Sequence, residues 1–383
     1  MKNKNIYLMY AIALLQGMVF YGPVATLYRQ AQGISVLQIT VIESISLILC
    51  FILEFPWGII ADKIGYKRTI LFCSVLYFIS KVVFWRASGF PGFLLERVML
   101  SVVIAGLSGV DTAYLYLSCN KEESQRVFGI YNSLGMAGLL FASFLFSVFV
   151  GDNYRLAGFL TAISYGAAAL LAFGLTEVKK EKEEASDIQS ILLPLKQIIT
   201  NKSLVLFLTG IALLNETHQT VTVFLNQLQY ERCGLGNVTM GYIYILVTIA
   251  GLSGAWSFKL TEKLGDFGSA AFFYIIAIAA CMVLAFTDNA WLSVLGILTL
   301  RISFSFFQPL QTKLQNEQIV VGNRATVLSI NAVVIDSVGA GTNIAFGMLA
   351  EKGIFHAFLL GAGLCVLGGF FVLRQIKKSG SRQ

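Results

Sequence analysis

Apolar residues run along this chain in blocks of about twenty, divided by short clusters of charge or of glycine and proline. A helix rising about 1.5 Å per residue crosses a hydrocarbon layer of roughly 30 Å in one such block. Twelve blocks are therefore predicted as membrane-crossing helices. The first six are 6–28, 37–60, 69–87, 92–117, 126–150 and 155–176, and the second six are 203–228, 238–261, 268–287, 291–313, 325–350 and 354–374. A transmembrane barrel instead needs alternating strands of about ten residues. The pattern thus predicts an all-α membrane protein. Its domains are an N-terminal six-helix bundle (1–176), a polar linker (177–202) and a C-terminal six-helix bundle with a short tail (203–383). A short interfacial helix is expected near 191–199 of the linker.

Composition agrees with lipid as part of the solvent. The 383 residues are 56% hydrophobic and only 13% charged, and mean hydropathy is +0.74. A soluble domain carries about 25% charged residues. The apolar run after Met1–Asn5 extends to about Tyr28, longer than the core of a signal peptide, and reads as an uncleaved first helix. The six cysteines (Cys50, Cys73, Cys119, Cys233, Cys281, Cys365) stand singly and suggest neither a disulfide framework nor a zinc site.

The net charge of +7 does not imply a nucleic-acid partner, because the cations flank the spans. Of 28 Lys and Arg, Lys81, Arg97 and Arg301 lie within spans, and Arg29, Arg86, Arg155, Arg232 and Lys352 lie at one face. The other twenty lie at the face of the two termini and the linker. The positive-inside rule puts that face in the cytoplasm, giving a multi-pass inner-membrane protein with both termini inside.

The halves repeat at an offset near 200. Asp62-Lys63-Ile64-Gly65 matches Glu262-Lys263-Leu264-Gly265, Arg97 matches Arg301, Arg126 matches Arg324, and Gln16 matches Glu216. Transporters built from such repeats place substrate near mid-membrane. The loop after the second span reads Gly58-Ile-Ile-Ala-Asp62-Lys63-Ile-Gly65-Tyr-Lys67-Arg68. Here Gly58 permits tight helix packing, and Asp62 is suited to the positive N-terminal end of a neighbouring helix. Gly65 permits a sharp reversal, and Lys67 and Arg68 anchor the loop at the cytoplasmic face.

This loop resembles the GxxxD(R/K)xGxxx(R/K) signature of the major facilitator superfamily, with its basic end shifted by one residue. The resemblance implies the family's fold, two pseudo-symmetric six-helix bundles, and a loop that latches the halves and is remade as access alternates. In the second copy Phe258 replaces the leading glycine. The stretch Arg97-Val98-Met99-Leu100-Ser101 is similar to the family's RxxxG motif, with Ser101 in place of glycine. In drug/proton antiporters of the family that arginine is linked to proton coupling. The fifth span holds Gly129, Gly135 and Gly138 but no proline, so it lacks the exporter-type motif. The general look is that of bacterial multidrug/proton antiporter-like members.

Ionisable groups at bilayer depth cost roughly 3 kcal/mol or more, so each is a functional candidate. They are Glu43, Glu54, Lys81, Glu96, Arg97, Asp111, Glu216, His218, Arg301 and Asp336. Glu43 and Glu54, eleven residues apart, fall on one helical stripe. Glu54 is a gate group or a structural partner for a cation, and Glu43 a gate or coupling group. Asp111 has two readings, a proton carrier or half of a permanent ion pair. Glu216 leads as substrate or proton site, because Asn215-Glu216-Thr217-His218 is the most polar stretch in any span. Arg301 and Asp336 are placed to pair between spans 10 and 11. Gln16, Tyr21, Asn215 and Phe307 are candidate cavity walls.

These residues predict a secondary transporter working by alternating access, with proton-coupled export of amphipathic small molecules as the leading function. Import or facilitated passage of a polar metabolite or organic anion is the alternative. Protons, a small-molecule substrate and lipid are the expected partners, and the chain is expected to act as a monomer. With no nucleophile–base pair or phosphate loop in the sequence, no enzymatic activity, cofactor or metal is expected.

Overall fold

A computed structural model describes residues 2–178, 200–318 and 324–380. The described residues are helical, with no strand among them. The helices are α1 (Lys2–Gly17), α2 (Ala25–Ala31), α3 (Val36–Ile64), α4 (Tyr66–Arg86), α5 (Gly89–Leu107), α6 (Val110–Ser118), α7 (Ser124–Leu145) and α8 (Tyr154–Ala172). They continue with α9 (Lys202–Gln219), α10 (Asn226–Arg232), α11 (Asn237–Ala250), α12 (Ser257–Phe286), α13 (Ala290–Glu317), α14 (Arg324–Lys352) and α15 (Ile354–Gly380). The predicted linker helix at 191–199 lies outside the described residues.

Fifteen helices and twelve predicted spans are reconciled by breaks with local causes. The first span divides into α1 and α2 around a short 3₁₀ turn, Gly22–Val24, that contains Pro23. The Phe20 N–H released by that break donates to Thr161 Oγ1 at 3.0 Å. The fourth divides at Gly109, whose φ of +75° only glycine adopts readily. The seventh divides at a π-helical stretch, Thr220–Leu225, between α9 and α10. Conversely, α12 joins parts of two predicted spans across a kink at Gly265, where φ is +68°. Gly65, 200 residues earlier, has φ +90°. The repeat read from sequence therefore extends to a shared backbone conformation at the same turn.

Cα proximity groups the described residues into two units. Unit one holds residues up to Ser35, Ile45–Glu183 and Asn237–Ile245, and unit two holds Val36–Ser44, Glu184–Gly236 and Leu246 onward. In unit one α1 meets α7 through small residues: a methyl group added at Gly17 would strike the Gly135 carbonyl, and one at Gly138 the Leu14 carbonyl. Close backbone approach of this kind is how helices associate where lipid offers no hydrophobic drive. Arg155, at the start of α8, donates to the carbonyls of Trp85 and Ala87 and to the Gln32 side chain, tying three chain reversals together.

In unit two α9 and α15 approach through Gly210 and Gly368, and the Tyr274 hydroxyl donates to the Gly210 carbonyl at 2.9 Å. The first turns of α3 pack on α14 in the same way: Ser44 Oγ donates to the Ala340 carbonyl at 2.8 Å, and Gly347 leaves room for Thr40.

Candidate functional site

The polar turn that ends α9 carries the strongest candidate group. Glu216 is 8% exposed. Its Oε1 accepts from Thr220 Oγ1 at 2.8 Å, and Thr220 also lies 3.3 Å from Asn343 Oδ1 on α14. The other carboxylate oxygen lies against Gly339. Glu43, also buried, and Asp336, which is exposed, are near enough to act on Glu216 electrostatically.

Two residues along, on another face of the helix, His218 is 1% exposed and stacks on Phe304, with ring centroids 3.8 Å apart and planes 9° apart. Arg301 Nη1 lies 3.4 Å from His218 Nε2, and Thr222 Oγ1 lies 3.3 Å from it. A guanidinium can only donate, so Nε2 accepts and the ring proton belongs on Nδ1. That Nδ1 is buried without a hydrogen-bond partner, as is Asn215 Oδ1. Gly251 leaves the room that the guanidinium occupies. The π-helical stretch begins at Thr220, directly after this cluster. Such bulges are frequent at functional sites because they re-aim side chains and free backbone groups.

Unit one holds a second charged cluster, which sequence reasoning named residue by residue without pairing. Lys81 Nζ donates to Glu96 Oε1 at 3.0 Å, and the two side chains are 4% and 1% exposed. The rings of Tyr21, Tyr77 and Tyr165 lie 5.8, 5.3 and 5.7 Å from the ammonium. The signal for pairing was available. Lys81 and Glu96 sit at similar distances from the reversal between α4 and α5, so opposite charges face each other across a helical hairpin.

The loop after α3 forms a cavity of about 590 Å³ lined by Lys63, Gly65, Lys67, Arg68 and Glu177 among others. The Lys67 N–H donates to Glu177 Oε1 at 3.3 Å, so this carboxylate caps the first turn of α4. The expected reversal at Gly65 is present. The packing role expected of Gly58 is not, because a methyl group there would meet nothing within 4 Å. The side chain of Asp62 lies outside what the structure describes.

Other candidates are placed as follows. Glu54 is exposed and accepts from Ser108 at 3.1 Å. Asp111 sits in the first turn of α6 beyond the Gly109 break, where the Tyr131 hydroxyl donates to it at 3.3 Å. The Arg97 carbonyl accepts from Ser101 at 2.9 Å, and Ser101 Oγ lies 2.7 Å from Ser46 Oγ. Gln16 offers its carbonyl to the Tyr165 hydroxyl at 2.5 Å. Two of the expected cavity-wall rings are placed as follows. Phe307 is wholly buried with its ring edge-on to Tyr274, and Tyr21 stacks on Phe84 at 4.0 Å. Both rings fill the interior of a helix bundle, which is where large aromatic surface is most stable.

Long apolar helices, paired reversals 200 residues apart and charged clusters buried at depth define a polytopic transport protein. The sequence description of the Major Facilitator Superfamily matches residues 6–343, and the chain belongs to that family. Its fold is the family's twelve-helix arrangement. An MFS-type transporter of Methanocaldococcus jannaschii, MJ1560, is 22% identical over 98% of this chain and 99% of its own. Among solved structures, a point mutant of the nucleoside transporter NupG superposes with a TM-score of 0.84 at 16% identity, over 97% of this chain and all of that one. The D-xylose-proton symporter superposes with a TM-score of 0.71 at 15% identity, over 97% of both chains. At these identities the structural likenesses establish the fold alone.

Proposed function

We propose that the chain carries a small polar solute across the membrane by alternating access, with proton movement coupled through Glu216. The observation that carries this reading is the α9 polar turn, where a buried carboxylate, Glu216, is flanked in sequence by two residues that each hold a buried polar atom without a hydrogen-bond partner, Asn215 Oδ1 and His218 Nδ1. A buried polar group left unpaired costs about 1–3 kcal/mol, which a hydrogen-bonding solute would recover. A proton taken up at Glu216 relieves the repulsion from Glu43 and Asp336. NupG is named a nucleoside transporter and the xylose protein a proton symporter, which fits a polar solute here.

Export of amphipathic molecules in exchange for protons is the second reading. It is favoured by the same three carboxylates, which suit an organic cation as well as a proton. In either reading 1–176 and 203–383 act as two six-helix halves joined by 177–202. Both termini and the linker are cytoplasmic, and the inner membrane holds the protein.

A thermal-shift screen of the purified chain against nucleosides, sugars and polyols, and against lipophilic cations, separates the two. Stabilisation by a polar solute that is lost in Asn215→Ala is expected. Stabilisation by lipophilic cations alone would replace the first reading with the second.

A further inference from the structure

At the end of unit two where α9 begins and α15 ends lies a cavity of about 420 Å³. It is lined by Lys202, Ser203, Leu206, Phe371, Arg374, Gln375 and Lys378. Three of these seven residues are cations and none is an acid. The imbalance extends beyond the lining. The first acid along α9 is Glu216, and α15 carries none. The polar wall is preformed: Ser203 Oγ donates to Gln375 Oε1 at 2.6 Å, Gln375 Nε2 donates to Gln318 Oε1 at 2.8 Å, and Lys378 Nζ lies 3.5 Å from Ser203 Oγ.

Chemistry also changes with depth. Lys202 and Ser203 stand at the start of α9, with Leu206 one turn further into the span. On α15, Arg374 and Gln375 stand near its end, with Phe371 one turn further in. Cations and hydrogen-bonding groups at the rim with apolar side chains beneath match the layering of a phospholipid.

We propose that this cavity is a binding site for the phosphodiester headgroup of an anionic membrane lipid. Lys202, Arg374 and Lys378 hold the phosphate charge, Ser203 and Gln375 contact the headgroup, and Leu206 and Phe371 lie against the acyl chain. Basic pockets between spans are a recurrent form of lipid recognition.

The test uses the purified full-length chain and fluorescent phosphatidylglycerol, with phosphatidylcholine as the zwitterionic comparison and inorganic phosphate as competitor. Each cation near an anionic lipid surface is worth about 1 kcal/mol, so Arg374→Gln with Lys378→Gln is expected to weaken phosphatidylglycerol binding about tenfold or more. The charge-matched pair Lys259→Gln with Lys263→Gln, outside the cavity, is expected to leave it unchanged. Arg374→Lys with Lys378→Arg is expected to retain it, which separates lost charge from lost folding. Equal phosphatidylglycerol affinity in wild type and the Arg374/Lys378 glutamine variant would overturn the site. Displacement of the lipid by millimolar inorganic phosphate would overturn the lipid as its occupant.

Discussion

Lys81 and Glu96 show how a charge survives in an apolar interior. Each is buried, and the pair is held at 3.0 Å inside three tyrosine rings. Taking one partner from such a pair leaves an uncompensated buried charge, at a cost of about 3–5 kcal/mol. Lys81→Met is therefore expected to lower thermal stability sharply, and Lys81→Met with Glu96→Leu to recover most of it. A thermal melt of both variants in detergent checks this. Near-equal melting of the single and double variants would mean that the pair contributes no mutual stabilisation. Both residues were recognisable in the sequence as costly intramembrane charges. Their pairing was open to the same reading, since they stand at similar distances on either side of one reversal, but only the structure gives the 3.0 Å contact. The ring contacts of Phe307 and Tyr21 were not legible for a related reason: an aromatic residue on a polar-flanked helix looks alike from sequence whether it faces a cavity or a neighbouring ring.

Element boundaries were largely legible, because about twenty apolar residues ended by charge is a long and repetitive pattern. The breaks within spans were less so. Gly109 and Pro23 mark two of them, but the π-helical stretch at 220–225 has neither residue, so nothing local announces it. The two reversals at Gly65 and Gly265 need positive φ. A side chain there is expected to cost roughly 1–2 kcal/mol. Gly65→Ala also brings its methyl against the Glu177 carboxylate. It should therefore lower the melting temperature, while Gly58→Ala, which meets open space, leaves it within error. If Gly58→Ala proved the more damaging, the account of this turn would be wrong. On α8, Arg155→Ala removes donors to three acceptors and should cost about 1.5–3 kcal/mol for a charge-assisted hydrogen bond in this setting, read in the same melt.

For the whole molecule, the repeat and the charge bias carried most of the reading. Family membership was legible from the loop at 58–68 together with the count of spans. The solute was not, because it is recognised by a few polar atoms in three dimensions. Thr220 and Asn343, which complete the surroundings of Glu216, come from separate helices and have no shared motif. The proposed topology is checked by labelling single cysteines introduced at Ser186 in the linker and Ser381 in the tail of a variant in which the six native cysteines are replaced by serine or alanine. Both should react only from the cytoplasmic face, and opposite reactivity would contradict the even number of crossings.

The central claim is that Glu216 couples solute movement to protons. It is tested most directly in proteoliposomes by comparing wild type with Glu216→Gln in two assays, solute accumulation driven by an imposed pH gradient and solute exchange without a gradient. The account predicts that Glu216→Gln keeps exchange while losing gradient-driven accumulation by about tenfold or more, as expected when a proton-transfer group is removed. Accumulation equal to wild type in Glu216→Gln would contradict it.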